Sequence, residues 1–206
     1  MELQFHGANC ISLTHKGTRI VVDDNLADLG AKTITKADDV ALFTGVHSPA
    51  DTARMMFDSP GEYEIADTSV IAIAARSHIE EGKLSATMFK LVTGELSVLL
   101  TGHIYPDLSE AQLEAIGTVD TLVVPVGGNG YTVDPVGALK LIKDIEPKVI
   151  VPTHYADKDL KYPVPQQDLA QALKELGMEP KETVTKLKLK ASELGDLAQL
   201  IVLQKS

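Results

Sequence analysis

The chain has 206 residues, 44% of them hydrophobic, enough for one domain with a sizeable core. Its net charge of −10, from 19 basic and 29 acidic residues, disfavours a nucleic-acid partner, because phosphate binding needs a basic patch. The lone Cys10 excludes an internal disulfide, and no stretch is apolar for long enough to span a bilayer, so a cytoplasmic protein with no membrane partner is expected.

The first half reads mostly as strands. Short β-rich runs cover 2–5, 10–14 and 19–23, with Lys16-Gly17 turning between the second and third. A polar, irregular stretch follows over 24–39, then a strand at 40–44. Ser48-Pro49-Ala50-Asp51 signals a turn, and a short run ends in Ser59-Pro60-Gly61. Further strands are expected at 62–65, 69–75, 86–93 and 96–101. Ser109 can cap a helix over 110–116, with Gln112 completing a capping box. A buried strand at 121–126 leads into the glycine loop 127–130. Asp134 then caps a helix with Pro135 in its first turn. Pro147 precedes a strand at 148–151, an amphipathic helix covers 166–176 and stops at Gly177, and the tail offers strands near 184–190 and 198–204. This order fits a layered α/β sandwich formed by a single domain over 1–206.

Four of the six histidines each follow an apolar run: His47, His78, His103 and His154. Strands paired in one sheet deliver such residues to a common rim, and imidazoles gathered there are the usual material of a metal site. A lone histidine after a strand is more often a hydrogen-bonded structural residue, so the reading depends on the strands being neighbours. His6, near Gly7, could lie close to such a site; His15 reads as an exposed turn residue. Cys10, inside a strand pattern, reads as a buried structural thiol. Lys186, Lys188 and Lys190 read as a solvated strand face. The loop 127–130 lacks the Gly-Lys-Ser/Thr ending of a phosphate-binding loop, and no Gly-x-Ser-x-Gly elbow is present. Asp23, after Ile-Val-Val, is equally an orienting carboxylate or a turn residue.

The order of segments resembles the metallo-β-lactamase superfamily, in particular its branch of small, ascorbate-lactonase-like Zn-dependent hydrolases. The stretches that carry the likeness are Ser59-Pro60-Gly61-Glu62-Tyr63-Glu64-Ile65, Ile116-Gly117-Thr118-Val119-Asp120 and Val124-Pro125-Val126-Gly127-Gly128. Tyr131-Thr132-Val133-Asp134 and the run from Ile145 to Tyr155 add to them, so the likeness covers nearly the whole chain. It implies an αββα four-layer sandwich with the site at the upper edges of the two sheets. The family's Thr-His-x-His-x-Asp-His signature reads here Thr44-Gly45-Val46-His47-Ser48-Pro49-Ala50, so only its second histidine is kept. The next histidine ligand matches His78, the metal-bridging aspartate falls on His103, and the final histidine matches His154.

A two-metal site needs a bridging carboxylate to hold two cations together. A neutral imidazole offers one lone pair to one metal, so His103 cannot replace it. The resemblance therefore implies a mononuclear, all-histidine site of His47, His78, His103 and His154. Zn²⁺ is the expected metal, and Mn, Fe and Ni also accept imidazole. Such a site would activate water in a metal-dependent hydrolase. His154 is the fourth ligand or a general acid, and Asp51 stands in for the water-orienting aspartate lost at Pro49. Asn129 and Tyr131, in the loop 127–134, are expected to contact a small-molecule substrate. The alternative is a catalytically inactive relative, kept as a binding or scaffold module. The substrate is not specified by the fold. Related small lactonases often assemble, which makes a homo-oligomer compatible with this reading.

Overall fold

The computed structural model describes residues 1–47 and 52–206, and two sheets face each other within it. The first has six strands in the order β13-β1-β2-β3-β4-β5: Leu187–Lys188, Glu2–Gly7, Cys10–His15, Thr18–Val22, Val40–Leu42 and Met55–Phe57. The second has eight, in the order β12-β14-β11-β10-β9-β8-β7-β6. Its outer parallel half contains β12 (Pro180–Val184), β14 (Gln199–Leu203), β11 (Val149–Thr153) and β10 (Thr121–Pro125). β9 (Leu96–Leu100), β8 (Ala86–Thr93), β7 (Thr68–Ala75) and β6 (Gly61–Ile65) complete it as an antiparallel meander.

The side-chain pattern explains the layers. β1 alternates strictly, sending Leu3 and Phe5 into the interior, as the period of two of a half-buried strand requires. β10 and β11 are buried at every position, as parallel strands covered on both faces are. Between the sheets lies one core, including Ile11, Val22, Leu42, Phe89, Leu91 and Val151. A second core lies beneath three helices: α1 (Glu110–Ile116), α2 (Pro135–Ile145) and α3 (Leu169–Leu176). α1 packs on β7, α2 on β10, and α3 on α2.

The expected sandwich is present. Its outer layer on the six-stranded sheet is irregular chain, whose Leu26, Leu29 and Leu160 cover Ala8, Cys10 and Val21. Cys10 is fully buried, and burial raises its thiol pKa, so it is a structural residue. The capping box at Ser109 and the Asp134 cap form as expected. Three boundaries differ. β5 is an additional edge strand, its Met55 and Met56 exposed and so without an inward hydrophobic signal. Residues expected in one strand at 184–190 divide between β12 and the two-residue β13. α3 starts at Leu169 under an Asp168 cap, leaving Gln166 in extended chain. Among the described residues no helix is long and apolar enough to cross a membrane.

Candidate functional site

The rim where the two sheets meet is organised by Thr44, just past β4. Its backbone N–H (2.7 Å) and hydroxyl (2.6 Å) both donate to the Asp23 carboxylate at the end of β3. Its carbonyl accepts the N–H of Thr87, on β8 of the other sheet, at 2.8 Å. Gly102, φ 60°, passes so close that a Cβ there would collide with the Thr44 side chain. The glycine thus lets the chain leave β9 and deliver His103 to the joint between the sheets.

Two of the four expected histidines, His103 and His154, bring their rings together at this rim, and His78 is tied to His103 through the backbone. Beyond β7 and β9 the chain continues as an antiparallel pair: the His78 N–H donates to the His103 carbonyl at 2.7 Å, and Ser77 bridges to Ile104. This sets His78 beside His103. His154 follows β11 in the left-handed conformation, φ 53°, and its N–H donates to the Ala8 carbonyl at 2.8 Å. The rings of His103 and His154 meet edge to face, with centroids 4.7 Å apart at 82°. Tyr131 packs against both, 5.3 Å from His103 and 5.7 Å from His154.

Burial sets the charge of this cluster. It pushes the pKa of His103 down to about 4. It pushes that of His154 down to about 3, with neighbouring His103 adding to the effect. Both rings are therefore neutral at pH 7 and present lone pairs. Burial also lowers the pKa of His78. The Nδ1 atoms of His78 and His103 are buried without a hydrogen-bond partner. In His154 the Nδ1 lies 3.1 Å from Gln166 Oε1, and the Gln166 Nε2 donates to the Val164 carbonyl at 3.0 Å. That second bond orients the amide, so its oxygen faces the imidazole. His154 must then carry its proton on Nδ1 and leave Nε2 as the free lone pair. Gly127 makes room for the arrangement, since a Cβ there would strike both the His154 carbonyl and Gln166 Oε1.

The other expected residues lie differently. His47 stacks on Phe43, centroids 4.0 Å apart, and its Nε2 is 3.3 Å from Asp58 Oδ2. Like His78, whose ring packs against Tyr105, it lines neither lobe of the cleft described next. Asn129 is also outside that lining; its side-chain amide donates to the Pro165 carbonyl and closes the loop onto 163–167. Asp51 lies outside the described residues. His6 is bound by Ser12 (2.8 Å) and Ser206 (2.9 Å), away from the cluster.

His103 and Tyr131 form the junction of a two-lobed cleft. One lobe, about 250 Å³, has Asn9, Asp23, Asn25 and Asp28 in its lining together with Leu29, His103 and His154. The other, about 190 Å³, is flanked by Val46, Ile79 and Glu80. Asn9, Asn25 and Gln166 carry no motif in the sequence; their role arises only from the folding of distant loops. The neutral imidazoles of His103 and His154, with His78 joined to His103 through its backbone, have the donor chemistry of a site for a borderline-soft cation. As arranged, no group of three His, Cys, Asp or Glu side chains among the described residues is placed to hold a metal ion.

These features agree with known proteins. Residues 2–154 match the model of the β-lactamase superfamily domain, and the chain belongs to that superfamily. Its structure has the metallo-β-lactamase fold. It is similar to a proposed Zn-dependent hydrolase of the metallo-β-lactamase superfamily from Thermotoga maritima, with 23% identity over 98% of this chain and 97% of that one, and a TM-score of 0.76. Igni18, a metallo hydrolase from Ignicoccus hospitalis, shares 16% identity over 99% of this chain and 95% of that one, TM-score 0.65. An isothiocyanate hydrolase from Delia radicum gut bacteria shares 12% over 100% and 97%, TM-score 0.64. At these identities the likeness is one of fold.

Proposed function

We propose that the chain is a metal-dependent hydrolase of a small molecule, with one divalent cation, Zn²⁺ before Mn, Fe or Ni, held by His78, His103 and His154. The observation that carries this reading is the set of unpaired ring nitrogens. Nδ1 of His78 and of His103 is buried without a partner, and Nε2 of His154 is left free by Gln166. Their depressed basicity favours ligands over general bases, because a base works best with a pKa near the ambient pH. A bound divalent cation would supply water acidified towards neutrality and a Lewis acid for a substrate oxygen. The chain's own groups do the rest. Gln166 holds His154 in one tautomer. Burial, reinforced by Asp28, raises the Tyr131 pKa, so its hydroxyl keeps its proton and can donate to a substrate oxygen in the cleft. Leu29 and Pro163 give the larger lobe an apolar wall.

Metal analysis of protein purified without added metal tests this. About one bound equivalent is expected, lost in His103→Ala and His154→Ala and retained in His47→Ala. A second reading, a metal-free binding module, is favoured by the absence of a metal-holding group among the described residues. It requires no bound metal, no thermal shift with divalent cations, and fold and partner binding that survive His103→Ala.

A further inference from the structure

We propose that Lys205 is a positioning residue of the site: clamped between the carboxylates of Asp157 and Asp159, it holds the loop 155–167 against β1 and so keeps Tyr162 and Gln166 set on His154. The inference deepens the reading of His154 as a ligand, on which its functional weight rests. Three observations carry it.

The first is how the loop is tied. Residues 154–168, between β11 and α3, contain no helix or strand, and a stretch of that length needs fastenings of its own. Those fastenings converge on His154. The Tyr162 ring packs on its imidazole, centroids 5.1 Å apart, and the Tyr162 hydroxyl donates to the Tyr155 carbonyl at 3.1 Å. The Ala156 N–H donates to the Gln167 carbonyl at 2.8 Å, and the Gln167 N–H to the Gly127 carbonyl at 2.9 Å. These bonds close the loop on itself and bring Gln166 to His154 Nδ1. The Lys161 N–H donates to the carbonyl of Leu29, in the wall of the cleft, at 2.9 Å.

The second is the grip of Lys205 on the outer limb of this loop. Its Nζ donates to Asp157 Oδ2 at 2.6 Å and to Asp159 Oδ2 at 3.1 Å. The Asp159 N–H donates to Asp157 Oδ1 at 2.9 Å, so both carboxylates lie in one turn. Without the ammonium they would repel each other. The Asp157 side chain is 15% exposed and that of Lys205 32%, so solvent screens this pair less than an ordinary surface pair. Burial alone would lower the Lys205 pKa, but its bonds to Asp157 and Asp159 outweigh burial and raise it.

The third is the anchorage of Lys205 itself. Past β14 the chain reaches the other sheet, where Lys205 bridges to Phe5 of β1 and the Ser206 N–H donates to the Phe5 carbonyl at 3.0 Å. The Lys205 stem passes Gly7, where a Cβ would stand 3.4 Å from Lys205 Cδ and 2.9 Å from Leu160 Cδ1. The next residue, Ala8, accepts the His154 N–H. The end of β1 therefore holds the His154 backbone directly and, through Lys205, the loop that orients its ring.

The test compares the full chain with Lys205→Met and Lys205→Arg, all treated with a chelator. Amide hydrogen exchange is followed at Ala156, Lys161 and Gln167 in the loop, and at His78 and Thr87 elsewhere on the rim. Long-range ¹H–¹⁵N correlation reads the His154 tautomer. In Lys205→Met the three loop amides should exchange at least tenfold faster, with His78 and Thr87 unchanged, and His154 should lose its single Nδ1-protonated form. Lys205→Arg keeps a charge for the two carboxylates and should restore both readings. Asp159→Asn, at a side chain 62% exposed, removes one arm of the clamp without touching the interior; it should speed the same three amides by a smaller factor. Molar NaCl should loosen the loop of the parent chain and leave Lys205→Met unaffected. Loop amides and His154 unchanged in Lys205→Met overturn the proposal. So does exchange that rises equally at all five amides, which is a loss of the fold, or a Lys205→Arg variant as loose as Lys205→Met. No reading needs a bound metal, so a protein that binds none leaves the clamp standing, and an indifferent Lys205→Met leaves the metal reading standing.

Discussion

Gln166 sits two residues ahead of the Asp168 cap, close enough to α3 to read as part of it, and its side chain turns inwards to His154. An amide oxygen facing Nδ1 forces the proton there, and the energetic weight of that one bond is the choice between two tautomers of similar intrinsic stability. Replacing it should therefore alter His154 more than the fold. In Gln166→Leu, long-range ¹H–¹⁵N correlation should show His154 losing its Nδ1-protonated preference, and metal affinity should fall about 10–100-fold. Gln166→Glu keeps an acceptor towards Nδ1 and should restore the tautomer; a tautomer unchanged in Gln166→Leu would show that Gln166 only packs. Gly127 belongs to the same unit. Gly127→Ala would drive a methyl into the His154 carbonyl and the Gln166 amide, and should cost about 1–3 kcal/mol in urea denaturation, as overpacking does.

At the scale of elements, the lower ends of β9, β10 and β11 are tied by Asp120. Its Oδ2 accepts the Ser97 N–H at 2.9 Å and the Ser97 hydroxyl at 3.0 Å, and its Oδ1 accepts Lys148 Nζ at 3.0 Å. Its own carbonyl accepts the N–H groups of Lys148 and Val149. Burial alone would raise its pKa, but the bonds from Lys148 and Ser97 outweigh burial and leave it below the ordinary value. A carboxyl depressed in the fold contributes stability above its unfolded pKa and loses it as pH falls through the folded one. This contribution is thus intact at neutral pH and disappears in acid below the ordinary aspartate range. Asp120→Ala strands the buried Ser97 N–H and should cost about 1–3 kcal/mol at pH 7. The deficit should narrow towards pH 3, read by chemical denaturation at both values. A variant equally deficient at pH 3 would mean that the loss is one of packing.

Across the whole molecule, the joint between the sheets carries a strained charge. Asp23 is buried at the contact of β3, β4 and, through Thr44, β8, and burial pushes its pKa up to about 6. The folded value here lies above the unfolded one, so the ionised form weakens the fold. The penalty is absent below pH 3.8, grows between 3.8 and about 6, and is constant above. Asp23→Asn retains an acceptor for the Thr44 N–H and removes the charge. It should stabilise the protein by up to about 3 kcal/mol at pH 8 and by little at pH 4, measured by urea denaturation. No gain at pH 8 would mean that Asp23 is ionised in the fold at no cost. A buried carboxylate kept at a structural disadvantage, facing the cleft beside His103 and His154, is where function and stability are in tension.

Much of this was legible in the chain itself. Alternation in β1, the unbroken apolar runs of β10 and β11, and the caps at Ser109 and Asp134 are local consequences of backbone period and unsatisfied helix ends, so they can be read without a fold. The positions of His78, His103 and His154 after apolar strands were visible for the same reason. The exposed β5 was not, because an edge strand buries little and leaves no hydrophobic trace. Nor were Asn9, Asn25 and Gln166, whose polar atoms acquire meaning only from the loops that close over them. Sequence determined most of the strands and helices and placed four histidines after apolar runs. Tertiary structure alone decided that the rings of His103 and His154 meet at the rim while His78 turns to Tyr105 and His47 to Asp58 and Phe43, because a side chain's direction depends on packing between segments far apart in the chain.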